Sequence, residues 1–512
     1  MEVIIIKTLQ LLLCLSLLVV LHEGGHFGFA KLFKTRVLRF YMFANWGFHL
    51  FSSYDNWFRR LLHKPLITKR GKEGKNFIVW LRNKWFQLTG QSERIQTENI
   101  GNKLYDEQAG TEYGIGWLPI GGYVAIDGMI DETNKELSGE PQPWEFRSKK
   151  IWQRFLIMFG GVFMNLVTAF VIYCGLMYFV GRDYVPMESV KNGFAFNQMA
   201  EEIGFRDGDI PISIDNKEIS HWSGNAFSLY QDLSNASQVT VLRGGKQVTI
   251  TMPEDGLNLL TMMKESPVFM SPLVPAVISD VEKGSPAYKA GMRKGTRVLA
   301  VDGVAINTKN DYDSLFLCRI DVLSLKTCTK ADSLRLRQMT YVFLRKDATV
   351  PDTVTLQLNE NYVAGIMYNY DYEVRHIDYS FLASIPEGFQ MGWEQLTGYI
   401  DQLKYIPTKE GAEGVGSFIA IGNMFPSTWD WVQFWLMTAL ISIVLAVMNL
   451  LPIPGLDGGH IVLLLYEAIT GRQPSERVMV WLEYIGLGFI IALMVLAFGN
   501  DIRHFVFPKF FG

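Results

Sequence analysis

Cysteine is scarce in this chain. Cys14, Cys174, Cys318 and Cys328 are its four cysteines among 512 residues, too few for a disulfide framework, and none sits in a zinc-like cluster. Cys318 and Cys328 share one region and could bridge if that region is exported, which spacing alone leaves open. A dominant sign of charge is also missing. The formal net charge of −3 says little about partners, and no nucleic-acid ligand is expected. No small-x-small cleavage site follows the first apolar run, so that run is expected to stay in the protein rather than be removed as a signal peptide. Polar residues are rare within it: from Leu9 to Leu21 only Gln10 and Ser16 are clearly polar.

That run ends in His22-Glu23-Gly24-Gly25-His26. Ionisable groups at membrane depth are costly, which makes them functional candidates by default. His22 and His26 are four residues apart, so on a helix both imidazoles can reach one cation. Glu23 would stand beside that cation, placed to take a proton from bound water. Zinc needs a third protein ligand and an open position. The candidate is Asp457, in Asn449-Leu-Leu-Pro-Ile-Pro-Gly-Leu-Asp-Gly-Gly459, with His460 as a competitor. The plainer reading of Asp457 is an Asp-Gly turn capping a helix. Asn449 could bind a substrate carbonyl or satisfy a helix end broken by Pro452 and Pro454. Gly24 and Gly25 each cost about 1 kcal/mol against Ala in an exposed helix interior, which suggests close packing or substrate approach.

Four segments are long and apolar enough to span a bilayer: residues 3–30, 151–180, 431–451 and 478–498. The glycine-rich segment Gly114–Met129 is shorter and reads as a re-entrant or interfacial hairpin. Residues 31–110 hold 15 Lys/Arg against 6 Asp/Glu. Lys31, Lys34, Arg36 and Arg39 follow the first span, and Arg147, Lys149, Lys150 and Arg154 flank the second. The positive-inside rule then puts 31–150 in the cytoplasm and 181–430 outside. His26 and Asp457 both fall towards the cytoplasmic side.

The outer region repeats itself. Gly204-Phe-Arg-Asp-Gly-Asp-Ile210 followed by Ile214-Asp-Asn-Lys-Glu-Ile219 reads as helix end, turn, strand, tight turn and strand. Val277 to Ile306 repeats the plan through Gly284-Ser-Pro-Ala287, Ala290-Gly-Met-Arg-Lys-Gly295 and Val298-Leu-Ala-Val-Asp-Gly303.

The paired motifs at the two ends of the chain resemble those of the site-2 protease family of intramembrane zinc metalloproteases, most closely its bacterial regulator-of-sigma-E protease branch. The second motif is carried by Asn449, Pro452, Pro454 and Leu456-Asp457-Gly458. The resemblance implies one Zn2+ per chain held by His22, His26 and Asp457, with Glu23 as catalytic base; Asn449 stands beside them as the further catalytic candidate. Gly116-Trp-Leu-Pro-Ile-Gly-Gly-Tyr-Val124 resembles the family's membrane-associated hairpin. Phe146 to Asn165 resembles the start of the next spanning helix, with Gly160-Gly161 where the family usually has Gly-Pro. Gly414-Val-Gly-Ser-Phe-Ile-Ala420 departs from the family's usual Gly-Pro-x-x-Ile. The repeat resembles tandem PDZ domains.

The resulting expectation is a polytopic α-helical membrane protein with about four transmembrane helices, a membrane-associated β-hairpin and two extracytoplasmic PDZ-like domains. Its parts are the zinc-motif helix at 1–33, a cytoplasmic region at 34–150 and a second span at 151–181. PDZ-like domains follow at 184–260 and 268–370, the latter with an insertion near 319–339, and then linker and helices at 371–430. A third segment at 431–462 carries the Asp ligand, and a fourth span covers 478–499. Residues 45–110 fit no family element and read as an insertion. By resemblance the enzyme sits in the bacterial inner membrane, with lipid around it and the PDZ-like pair in the periplasm. Its substrates would be single-span membrane proteins already shortened outside, such as anti-sigma factors or signal-peptide remnants. The competing readings are a catalytically silent PDZ-containing scaffold, a metal transporter and a tethered soluble metalloprotease. A full ligand set with Glu23 present argues against the first. The second would call for polar groups along a transport path and inverted repeats. Ligand motifs in apolar segments argue against the third.

Overall fold

A computed structural model describes residues 2–53, 75–76, 111–118, 121–129, 140–222, 227–253, 256–257, 262, 269–324, 334–358, 363–368, 372–404, 408 and 416–501. The chain divides into two compact units. The first comprises Met1–Val180, Ser380–Leu396 and Gly416–Phe498, and the second holds most of the residues between.

The first unit is built on helices. They include α1 (Glu2–Leu32), α2 (Ile151–Phe179), α3 (Phe418–Met424), α4 (Trp431–Leu450), α5 (Asp457–Thr470) and α6 (Glu476–Asp501). Four stretches are long and apolar enough to cross a membrane: Val3–Leu32, Ile151–Phe179, Trp431–Leu450 and Arg477–Asp501. They match the four expected spans and make this a polytopic membrane protein.

Small residues set how closely the helices meet. A Cβ on Gly25 would run into the Gly160 carbonyl, and a Cβ on Gly160 into that of Gly25, so α1 and α2 cross backbone to backbone. Such contacts are a common way for helices to associate where lipid removes the hydrophobic drive. Gly24 has open space around it. Ser442 on α4 donates to the Asn165 carbonyl on α2 at 2.7 Å. Arg154 on α2 pairs with Glu467 on α5. Between α4 and α5 the chain breaks over residues 451–456, with Gly455 at φ 84°. Gly458 and Gly459 then tuck under the carbonyls of Leu450, Leu451 and Ile453, where no Cβ would fit.

A five-stranded sheet follows α1. Its strands are β1 (Val37–Tyr41), β2 (Ala44–Ser52), β3 (Lys75–Asn76), β4 (Glu112–Leu118) and β5 (Tyr123–Ile126), ordered β3-β2-β4-β1-β5. This differs from the expected hairpin over Gly114–Met129. β4 and β5 do not pair with each other, because β1 lies between them, parallel to β4 and antiparallel to β5. Tyr41 accounts for part of this arrangement. Its ring stacks on Tyr123 at 5.3 Å, and its hydroxyl donates to Glu112 at 2.8 Å, so β1 is tied to both neighbours. Burial and the Glu112 carboxylate together push the Tyr41 phenol well above its usual range. Apart from residues 45–53 and β3, the 45–110 insertion lies outside the described residues.

The second unit repeats one plan. Its first four-stranded sheet contains β6 (Ile210–Ile214), β7 (Lys217–Glu218), β8 (Gln238–Arg243) and β9 (Lys246–Thr251), ordered β9-β8-β6-β7. The other contains β10 (Arg297–Val301), β11 (Val304–Ala305), β12 (Gln338–Leu344) and β13 (Asp352–Gln357), ordered β13-β12-β10-β11. The two orders are the same. Asp215 and Asp302 occupy equivalent turns with positive φ, and each accepts main-chain N–H groups from the neighbouring strand, Asp215 from Ser237 and Gln238, Asp302 from Thr340. Before each first strand comes a short capped helix, with Asn197 accepting from Ala200 and Ser285 accepting from Tyr288. Gly204/Gly208 and Gly291/Gly295 then repeat a four-residue spacing of positive-φ turns. Each sheet has its own apolar core, around Phe194, Phe205 and Val239 in the first and Val298, Met339 and Tyr341 in the second. Cys328, residues 325–333 of the expected insertion near 319–339, and Gly414 lie outside the described residues.

Candidate metal centre

His22 and His26 project from the same face of α1, and Asp457 opens α5. Their Nε2 atoms are 3.3 Å apart, and each lies 3.3 Å from Asp457 Oδ2. Among the described residues these three form the one group of His, Cys, Asp and Glu side chains close enough to share a metal ion. His460, three residues further along α5, is not part of it.

The donor set fits zinc. Zinc–ligand bonds of about 2.0–2.2 Å at tetrahedral angles separate neighbouring donor atoms by about 3.3–3.6 Å. All three edges of the triangle match that spacing. Asp457 Oδ2 is shielded from solvent yet makes no hydrogen bond. A buried carboxylate oxygen without a donor is costly unless a cation meets it. Two imidazoles and one carboxylate leave a fourth position, as hydrolytic zinc sites require.

The remaining predicted residues surround this triangle. Glu23 is half-buried on the next position of α1, and its carboxylate is within hydrogen-bonding reach of the Val124 main-chain N–H on β5. Asn449, on the last turn of α4, brings Nδ2 to 3.4 Å from His22 Nε2.

Sequence reasoning assigned no role to three contributors from α2. The Ile157 carbonyl lies 2.8 Å from His26 Nδ1. The Asn165 side chain meets His22 Nδ1 at 3.2 Å. Gly161 lies against the imidazoles, where a Cβ would collide with His26 Nε2 and His22 Cε1. The available signal was a carboxamide and a Gly-Gly pair within the apolar stretch that follows Arg154.

The model of peptidase family M50 matches residues 88–493, most of the chain. The chain belongs to peptidase family M50. The matched stretch carries Asn449 and Asp457, and the histidine motif precedes it. Similar proteins include a candidate zinc metalloprotease of Xylella fastidiosa, 28% identical over 425 residues, covering 79% of this chain and 90% of the relative. The regulator of sigma E protease of Haemophilus influenzae is 26% identical over 425 residues, covering 77% and 88%. A candidate zinc metalloprotease of Borreliella burgdorferi is 24% identical over 510 residues, covering 96% and 97%. This M50 peptidase is thus a zinc-dependent metalloendopeptidase of the site-2 type.

Proposed function

We propose that this M50 peptidase hydrolyses a peptide bond within the membrane-spanning segment of single-span proteins, using zinc held by His22, His26 and Asp457. The observation that carries the reading is the 3.3 Å triangle of donor atoms formed by two histidines within an apolar helix and the aspartate that opens α5. Zinc, when bound there, would polarise a carbonyl and acidify a water. Glu23 accepts the proton of the attacking water and returns it to the leaving amine. Asn449 Nδ2 faces the ligand cluster, so it can donate to the substrate carbonyl oxygen as negative charge develops.

A helical substrate hides its carbonyls and must unwind to react. β5 ends the sheet order and lies beside Glu23. Its outer edge is suited to receive an extended segment by strand addition, which offsets the backbone groups exposed on unwinding.

The matching sheet orders of the second unit support two PDZ-like domains, and their place in the sequence supports a filter that admits substrates already shortened outside. Charge flanking the first two spans favours a cytoplasmic-side active site and PDZ-like domains facing the periplasm, in a bacterial inner membrane. The named sigma-E regulators among its relatives make a trimmed membrane anti-sigma factor the leading substrate, with signal-peptide remnants second.

The test uses purified protein in lipid nanodiscs: wild type, Glu23→Gln and Asp457→Ala, with bound zinc and cleavage of a truncated single-span substrate measured together. Glu23→Gln should keep zinc and lose cleavage, and Asp457→Ala should lose both. A folded wild type that binds no zinc would overturn the assignment.

A further inference from the structure

The two imidazoles of the metal centre are held from behind by different partners. His26 Nδ1 faces the Ile157 carbonyl oxygen at 2.8 Å. A carbonyl can only accept, so that nitrogen carries the hydrogen and Nε2 keeps its lone pair facing Asp457. His22 needs the same tautomer if its Nε2 is to be a ligand, since a ring nitrogen carrying hydrogen cannot donate a lone pair. The partner it meets is a side chain: Asn165, wholly buried on α2, with its Nδ2 at 3.2 Å from His22 Nδ1 and its Oδ1 buried without a hydrogen-bond donor.

A carboxamide offers an acceptor at one end and donors at the other, and a half-turn exchanges them with almost no change in shape. With Nδ2 towards His22, Nδ1 must accept, and the ring hydrogen falls on Nε2, facing Asp457 Oδ2 and blocking ligation. With Oδ1 towards His22, Nδ1–H is the donor, the buried oxygen gains one, and Nε2 is free to ligate. We propose that Asn165 is the positioning residue for His22: its Oδ1 accepts the Nδ1–H and holds the ring in the ligating tautomer. The inference rests on His22 being a zinc ligand. Partners behind ligating histidines fix ring orientation and raise basicity.

The neighbourhood keeps Asn165 in register. Ser442 on α4 donates to its carbonyl oxygen, and Gly161 one turn earlier leaves room for both rings. Asn165 touches no donor atom of the triangle, so its role is expressed through His22.

The test measures zinc affinity by chelator competition in nanodiscs for wild type, Asn165→Leu and Asn165→Asp, with melting of the zinc-free proteins alongside. Asn165→Leu, similar in size but without an acceptor, should weaken zinc binding by about 10- to 100-fold. Asn165→Asp keeps the acceptor and should restore most of that loss. Equal zinc affinity in wild type and Asn165→Leu, or a loss common to both variants that follows zinc-free melting, would overturn the proposal while leaving the zinc ligands standing. In zinc-loaded wild type labelled with nitrogen-15 histidine, His22 should show a hydrogen-bonded Nδ1–H, a readout that does not depend on any variant folding. His22 bound through Nδ1 would overturn it. Wild type that binds no zinc would overturn the metal assignment itself.

Discussion

Arg154 and Glu467 form a buried two-pronged ion pair between α2 and α5, with Nη1 to Oε2 at 3.0 Å and Nη2 to Oε1 at 2.6 Å. Their side chains are 8% and 11% exposed, so water does little to screen or replace the pair. Gln473 adds a donor to Glu467 at 3.2 Å, and the Lys149 carbonyl accepts from Arg154 Nε at 3.1 Å. α5 begins at Asp457, so this pair anchors the helix that supplies the carboxylate of the metal centre.

Breaking that pair on one side leaves a buried charge. Glu467→Ala should cost roughly 3–5 kcal/mol of stability, as lone buried charges do. Denaturant titration in mixed micelles would measure it. Replacing both residues by apolar ones of similar size should recover much of the loss. Single and double variants of equal stability to wild type would show the pair to be inert.

The glycines of α1 and α2 differ in what surrounds them. Gly161→Ala and Gly25→Ala place a methyl group where an imidazole or the Gly160 carbonyl now sits, so both should lose zinc and activity. Gly24→Ala meets open space and should keep zinc binding within about twofold of wild type, with a modest gain in helix propensity. Zinc content of the purified variants distinguishes these outcomes.

Zinc should stabilise the folded protein by mass action. At one hundred times the dissociation constant the gain is about 2.7 kcal/mol. Chelation should therefore lower the melting temperature of the wild type, and added zinc should restore it. Asp457→Ala should melt at one temperature with or without chelator.

In the second unit His376 sits on the strand Arg375–Ile377, paired with the strand Arg182–Pro186. Its Nδ1 is 2.6 Å from Asp183 and its Nε2 3.1 Å from Asp378. Hydrogen bonds to Asp183 first, then Asp378, raise its pKa above the ordinary 6.5. A raised folded value means the contribution is fully present below the unfolded pKa and fades as pH rises through the folded one. Exposure keeps the effect small. Hydrogen exchange in the strand Arg375–Ile377 should quicken with pH beyond the intrinsic rate in wild type and not in His376→Gln.

Much of the site could be read along the chain because it depends on local periodicity. The spacing of four between His22 and His26 places them on one helix face whatever surrounds the helix. The apolar runs declare their own lengths. The repeated Gly204/Gly208 and Gly291/Gly295 turns mark positions where positive φ is needed. The sheet that takes the place of the expected hairpin over Gly114–Met129 was not legible, because the strand that separates β4 from β5 comes from more than 70 residues earlier, as the pairing of Arg39 with Glu112 shows.

The sequence by itself determined the kinds of ligand, their spacing on α1 and the apolar setting that makes them functional. Only the tertiary structure decided that Asp457 Oδ2 would stand 3.3 Å from both imidazoles, and that Asn165 and the Ile157 carbonyl would back them. The reason is physical. A helix dictates which of its own residues share a face. How near two helices come depends on paired small surfaces such as Gly25 on Gly160, which are properties of the packed pair and not of either segment alone.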